Sequence, residues 1–190
     1  MKIEVLESNA KVFRFLLKGS SSTEANALRR AAINSVPCFA INSITFYENT
    51  SAVFDEYIAH RIGLIPINTP AKGYTEKDEI LFTLDATGPK TVYSKELKGA
   101  DEDVQVANPD IPIIKLGEEQ RVRIDGKAIM ATGQKHSKFQ AGLVTYDKKG
   151  DDYEFYVEAF GQMPPKEIIN KALEVIKEEA LEIQKELKKL

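Results

Sequence analysis

The side chains that could bind a metal ion or act as nucleophiles are few in this sequence. It contains two histidines, His60 and His136, and one cysteine, Cys38. Zinc sites use three or four Cys, His or carboxylate ligands at short, defined spacings, and neither histidine has a Cys or a second His nearby. We therefore predict no metal site, and we interpret Cys38 as a small buried apolar residue.

Two acidic clusters and one basic loop are the remaining candidates for a catalytic or phosphate site. The carboxylates at 101–103 and 118–119 stand beside glycine and lysine, which is typical of solvated turns. The segment Gly133–Phe139 (GQKHSKF) carries two lysines, but it lacks the glycine-rich spacing that turns backbone amides toward a phosphate. The sequence thus offers no recognisable catalytic set.

Composition excludes several further classes of protein. The 190 residues include 26 Lys and Arg against 29 Asp and Glu, a net charge of −3. This balance argues against binding nucleic acid mainly by charge. There is no apolar run long enough for a membrane span, and the alternating N-terminus does not resemble a signal peptide. We expect a globular protein of the cytoplasm.

The N-terminal residues predict a hairpin followed by a helix. Apolar and polar residues alternate on both sides of a turn in residues 2–17. Ser21 and Glu24 form a capping-box pattern, which satisfies two free amides at the start of a helix. We therefore expect a helix over residues 23–36. Its apolar face is mostly alanine, and small residues allow another helix to approach closely.

The middle of the chain predicts a change to β-structure. A strand with a bulge near Asn42 is expected over residues 38–47, followed by a short helix capped by Asp55. Over residues 69–142 helical periodicity is absent, and turns with glycine or proline separate short strand-like runs. These runs are Ile80–Asp85, Thr91–Leu97, Val104–Ala107, Ile111–Leu116 and Gln120–Thr132. A hairpin over residues 143–160 precedes the last helix.

The last helix, over residues 164–190, has the strongest pattern. Its apolar residues alternate at spacings of four and three, as in a coiled-coil seam. They are Ile169, Leu173, Ile176, Ala180, Ile183, Leu187 and Leu190. Further apolar residues widen only the first half, so the second half has little of its own chain to cover it. We expect a partner helix there; the alternative is that the whole helix packs on its own domain.

Three blocks of sequence together resemble the α-like subunit family of cellular RNA polymerases, and most closely its archaeal members. They are Ala25–Arg30 (ANALRR), Asp55–Pro66 (DEYIAHRIGLIP) and Gly133–Phe139. The resemblance implies an α+β fold in which a discontinuous dimerisation domain, an antiparallel sheet plus two helices, carries an inserted β-rich domain. Residues 1–40 and 143–190 would form the dimerisation domain, and residues 41–142 the insert.

The resemblance also implies partners. Helices of the dimerisation domain would bind the small α-like subunit L, through Leu28, Ile169, Leu173, Ile176, Ala180, Ile183, Leu187 and Leu190. The second-largest polymerase subunit and small zinc-binding subunits would bind a second set: Asn26, Arg29, Arg30, Glu56, His60 and Arg61. Two adjacent guanidinium groups suit carboxylates or carbonyls of another protein, although a solvated face is the alternative for such a pair.

A chain of this family would carry no catalytic residue. Nucleotidyl transfer and its Mg²⁺ belong to the two largest subunits, so the chain would be an enzyme only as part of the polymerase, with little or no direct contact with nucleic acid. Many archaeal relatives carry an added module with an iron–sulfur cluster. Cys38 alone cannot hold one, so no cofactor is expected. The residues by themselves leave open a stand-alone homodimeric α+β enzyme or ligand-binding protein.

Overall fold

The computed structural model describes residues 1–189 of the chain. Within them the strands are β1 (Lys2–Ser8), β2 (Val12–Lys18), β3 (Cys38–Asn49), β4 (Glu79–Thr87), β5 (Lys90–Tyr93), β6 (Lys98–Gly99), β7 (Pro112–Leu116), β8 (Arg121–Ala131), β9 (Gly142–Lys149) and β10 (Asp152–Ala159). The α-helices are α1 (Ser22–Asn34), α2 (Asp55–Gly63) and α3 (Pro165–Leu187). The predicted α+β class is therefore confirmed. None of the helices in this described part of the chain is long and apolar enough to cross a membrane.

The chain divides into two compact units, one formed by residues 1–37 together with the chain from Thr132 onward, the other by residues 38–131. The sequence-based boundaries at 40 and 143 differ from this division, because residues 38–40 lie with the second unit and residues 132–142 lie with the first. That loop is tied to the end of α1: the Gln134 N–H donates to the Asn34 carbonyl at 3.0 Å. Such long-range backbone bonds leave no local pattern in the sequence.

The first unit is a sheet in the order β1-β2-β10-β9, with α1 and α3 packed against each other and against the sheet. The rings of Phe15 and Phe155, paired across β2 and β10, stack with 4.9 Å between centroids. The helices contact β9, β10 and β2. On β1, Ile3 and Val5 lie on the same side of the sheet as Phe15 but remain more than half exposed.

The second unit is a sheet in the order β3-β8-β4-β6 with the smaller β5–β7 pair. Helix α2 packs on β3 and β7, and its Ile58 and Ile62 are completely buried beside Phe39 and Phe82. The bulge predicted in β3 is confirmed, since the register with β8 shifts between Ile41 and Ser43. The core of this unit therefore contacts only one side of α2.

Three details of the sequence-based prediction are wrong. Thr91–Leu97 is not a single strand, because β5 ends at Tyr93 and Ser94–Glu96 form a 3-10 helix. Val104–Ala107 is not a strand and contributes only an isolated bridge from Val106, because the Gln105 side chain bonds both backbone groups of Gly99 instead. Asp55 does not cap α2: Phe54 is the N-cap residue and Asp55 is already helical. The Asp55 carboxylate accepts a hydrogen bond from the Asn49 amide at 2.7 Å.

The capping box at the start of α1 is confirmed. The Glu24 N–H donates to Ser21 Oγ at 3.3 Å, and the Ser21 N–H donates to Glu24 Oε2 at 2.7 Å. The bond from the Ser21 backbone, followed by those from the Ser21 and Ser20 hydroxyls, lowers the pKa of Glu24. The ionised carboxylate thereby fixes the first turn of α1.

This geometry makes part of the folding stability depend on pH. Because the pKa of Glu24 is lowered in the folded state, its contribution is complete above the ordinary value of 4.5 and is lost as pH falls through the lowered value. We expect Glu24→Gln, which keeps the shape of the capping group, to lose less stability on acidification below pH 4.5 than the wild type. Urea unfolding at a series of pH values measures this, with the exposed Glu178→Gln as control. Parallel profiles for wild type and Glu24→Gln would contradict the prediction.

Candidate protein interface

Helix α3 is buried only in its first half. Its buried residues are Pro165, Ile168, Ile169 and Ala172, and every residue described beyond Lys177 is exposed. Ile183 is 63% exposed and Leu187 is 64% exposed. Exposed large apolar side chains in a row are typical of interaction surfaces.

The residues predicted to contact a partner through the helices fall into two groups. Leu28 and Ile169 lie in the core of their own unit, at 6% and 3% exposure, so they position the helices and offer little free surface. Ile176 is half-buried, whereas Leu173, Ala180, Ile183 and Leu187 are exposed. Leu190 lies outside the described residues. The exposed members of the set, Ile183 and Leu187 above all, form what we call the α3 seam.

Helix α1, which packs against α3, carries three polar residues predicted to bind a partner: Asn26, Arg29 and Arg30. Arg29 donates from Nε and Nη2 to the Asn26 side-chain oxygen, at 3.3 and 3.0 Å. Arg30 is exposed and has no hydrogen bond or ion pair within residues 1–189. The amide therefore orients only one of the two guanidinium groups, and Arg30 extends into solvent with its donors available.

Helix α2 presents a second apolar side to solvent. On the face next to its buried side, Phe54 is 80% exposed, Tyr57 56% and Leu64 51%. With Arg61 these residues follow spacings of three, four and three, which place them on one face of the helix. We call this set the α2 outer face.

A cleft of about 380 Å³ lies between the α2 outer face and the segment Ile111–Ile113. The Arg61 guanidinium lies 5.9 Å from the centre of the Tyr57 ring and donates from Nη2 to the Pro112 carbonyl at 2.5 Å. Its buried Nε has no hydrogen-bond partner among the described residues. His60 and Arg61 line this cleft and no carboxylate does, so the cleft suits a partner that brings an acidic group with an apolar side chain.

Sequence reasoning selected the charged residues of this helix and missed the apolar ones. His60 and Arg61 do line the cleft, whereas the exposed Glu56 is not among its lining residues. Tyr57 and Leu64 line it together with the two basic residues. The spacing of the outer face is a signal present in the sequence, but no apolar face was predicted for this short helix.

The GQKHSKF segment is a rigid loop of the first unit. Phe139 is completely buried, and the Lys138 N–H donates to His136 Nδ1 at 3.1 Å. A side chain at Gly133 would collide with the Ile33 carbonyl, so glycine is required for the close approach to α1. Burial lowers the pKa of Lys138, and the charge of Lys135 lowers it further. The motif therefore has a structural role in holding its loop to α1.

Cys38 is completely buried, and burial raises the pKa of its thiol to about 12. A thiol of this kind is neutral and unreactive at neutral pH, because the thiolate is the nucleophile. No group of three or more His, Cys, Asp or Glu side chains within residues 1–189 is arranged to hold a metal ion. The described surface is distinguished by the α3 seam and the α2 outer face.

Residues 40–148 match the family described as the RNA polymerase Rpb3/RpoA insert domain. The chain belongs to this family of RNA polymerase subunits. The match includes α2 and its cleft, and it confirms the resemblance inferred from the three sequence blocks.

Curated archaeal relatives extend the similarity over most of the chain. A DNA-directed RNA polymerase subunit Rpo3 of Methanocaldococcus jannaschii is 46% identical over 88% of this chain and 86% of the relative. Subunits of the same name from Pyrococcus furiosus and Halobacterium salinarum are 43% and 36% identical over 77% and 74% of this chain. The aligned regions span 58% and 56% of those two relatives, so the chain matches little more than half of their length.

Proposed function

We propose that this chain is a non-catalytic assembly subunit of archaeal DNA-dependent RNA polymerase, acting in the cytoplasm. The observation that carries the proposal is the α3 seam: an amphipathic helix whose second half is left uncovered by its own chain. The names of the archaeal relatives support the polymerase as its setting. The chain acts by holding other subunits in place, while nucleotidyl transfer and its Mg²⁺ belong to the two largest subunits. It needs no cofactor of its own.

The partner at the α3 seam is the small α-like subunit L. Fully burying an Ile or Leu side chain contributes roughly 1.5–3 kcal/mol, so covering Ile183 and Leu187 is a strong driving force for pairing. Helix α1 contributes a face of small residues, with Ala25, Ala31 and Ala32 packed inward. The pair of helices thereby forms a firm base from which the exposed half of α3 extends to the partner.

The α2 outer face binds a different polymerase subunit, either the second-largest subunit or a small zinc-binding one. Interfaces of this type depend on a few apolar or aromatic anchors with a charged rim. Tyr57 and Leu64 supply the anchors, Arg61 supplies the charge and His60 supplies a polar ring. Arg29 and Arg30, on α1, bind the second-largest subunit.

The first test removes the apolar character of the α3 seam. We expect Ile183→Asp with Leu187→Asp to leave a folded chain that no longer forms a 1:1 complex with subunit L, because two carboxylates would be buried against an apolar partner. Native mass spectrometry of the co-expressed pair measures this. Leu181→Asp, an exposed leucine on another side of the helix, is the control and retains the complex. Co-purification of the double variant with L would contradict the seam assignment, and a stable wild-type homodimer would favour the stand-alone alternative.

The second test concerns the arginine pair. We expect Arg29→Ala with Arg30→Ala to keep the complex with subunit L but to prevent recruitment of the second-largest subunit, since the donors for its carboxylates or carbonyls are lost. Stepwise reconstitution followed by size-exclusion chromatography measures both steps. Lys2→Ala with Lys11→Ala removes the same charge from the exposed β1–β2 hairpin and leaves assembly unchanged. Normal assembly of the arginine variant would refute the assigned role.

The third test concerns the α2 outer face. We expect Tyr57→Ser with Leu64→Ser to preserve pairing with L and to weaken attachment of the second-largest or zinc-binding subunits by about 30-fold, as loss of an anchor worth about 2 kcal/mol does. Pull-down titration of the preformed pair measures the affinity. Tyr47→Ser with Leu81→Ser, which alters exposed apolar residues elsewhere in the same unit, is the matched control. Equal affinities for the two variants would remove the cleft from the interface.

A further inference from the structure

The α3 seam has an acidic border on one side. A groove of about 500 Å³ along the helix is lined by two apolar residues, Ile183 and Leu187, and by three glutamates, Glu179, Glu182 and Glu186. At 100° per residue the glutamates lie within about 60° of one another, directly beside the apolar stripe. All three are exposed.

The border is largely unneutralised within the chain. Glu186 pairs with Lys189 at 2.5 Å, whereas Glu179 and Glu182 make no ion pair within residues 1–189. An exposed pair of this kind contributes little to stability, so the Glu186–Lys189 contact can be exchanged for a contact with a partner at little cost. In the described part of the helix, the other two carboxylates are in no ion pair that a partner would have to break.

We infer that the helix that covers Ile183 and Leu187 belongs to a different chain and carries lysine or arginine along the edge that faces Glu179, Glu182 and Glu186. The inference rests on the proposed function and adds the chemistry that selects the partner. Charges flanking an apolar helix seam determine which helices pair and in which orientation. Helices with acidic edges are rejected, because like charges would be brought together beside a desolvated stripe.

A second copy of this chain fits the groove poorly. In a two-fold antiparallel pair of α3 helices, the same border of each helix faces its equivalent in the other copy. Glu179, Glu182 and Glu186 would then meet the same three carboxylates. The acidic border therefore opposes this mode of self-association and leaves the apolar stripe available to a basic-edged partner.

The experiment measures binding of the full chain to recombinant archaeal subunit L after charge reversal. Glu179→Lys with Glu186→Lys reverses two residues of the border. The matched control, Glu174→Lys with Glu178→Lys, changes the net charge equally on the far side of the helix. The border variant breaks the exposed ion pair Glu186–Lys189, and the control breaks Lys171–Glu174. Both variants therefore lose one exposed ion pair of the helix. Circular dichroism verifies equal helix content.

We expect the border variant to bind L about tenfold more weakly than wild type, which corresponds to about 1.4 kcal/mol, and the control to bind as wild type does. The difference in affinity between the border variant and wild type is smaller at about 1 M salt than at about 0.1 M. The Debye length is about 3 Å at the higher concentration and about 10 Å at the lower one. Glu179→Gln with Glu186→Gln ranks between wild type and the lysine variant, because it removes attraction without adding repulsion.

Three outcomes overturn the inference. Equal binding of the border and control variants would show that the border selects nothing, while binding of wild type to L would still support the proposed function. Self-association of the wild-type chain through Ile183 and Leu187 would show that a second copy is the occupant. Failure of wild type to bind L at all would remove the proposed function and this inference together. Ile183→Asp with Leu187→Asp separates the cases, since it abolishes pairing whatever the border contributes.

Discussion

Helix α3 is longer than the core it covers, and this mismatch constrains the first unit and its role. Burial ends at Ala172, yet apolar residues continue for about fifteen more residues at a mean spacing of about 3.5 residues. A helix in water gains most of its stability from the packing of its apolar face. Under the proposed function, the second half of α3 gains this packing from a second chain, and the first half determines where that chain binds. The stacked Phe15 and Phe155 beneath the helices make this base rigid.

Helix α2 also combines a buried part with an exposed apolar part, over a shorter length. One side, with Ile58 and Ile62, is completely buried and fixes the helix to its sheet. The other side presents Tyr57 and Leu64 to solvent beside two basic residues. In α2 the buried side supplies rigidity and the exposed side supplies contact, so this helix has little conformational entropy left to lose on binding. In α3 the first half of the helix is packed and the second half is exposed. The two exposed surfaces differ in charge, acidic along α3 and basic in the α2 cleft, so each suits a partner of the opposite charge.

Local rules predicted most elements, and long-range packing accounts for the errors. The capping box of Ser21 and Glu24 involves neighbours in sequence and was predictable, whereas the loop from residue 132 joins the first unit through Gln134 and Asn34, a hundred positions apart. At the candidate site, the α3 spacing repeats over several heptads, so the seam was apparent. In α2 the buried and exposed stripes share nine helical residues, and the sequence alone does not say which stripe faces inward. Charge therefore indicated Arg61, while the apolar residues beside it were missed.

The net charge of −3 conceals how the charges are distributed, and the distribution bears on function more directly than the sum. Nucleic acid is recognised by basic surfaces that follow a phosphate backbone over several contacts. The basic residues of the α2 cleft instead border a small apolar cavity, and Arg61 already donates to the Pro112 carbonyl. Such a cavity admits one or two side chains of a protein rather than a polyanion. This kind of surface supports the proposed role, in which the chain holds other polymerase subunits.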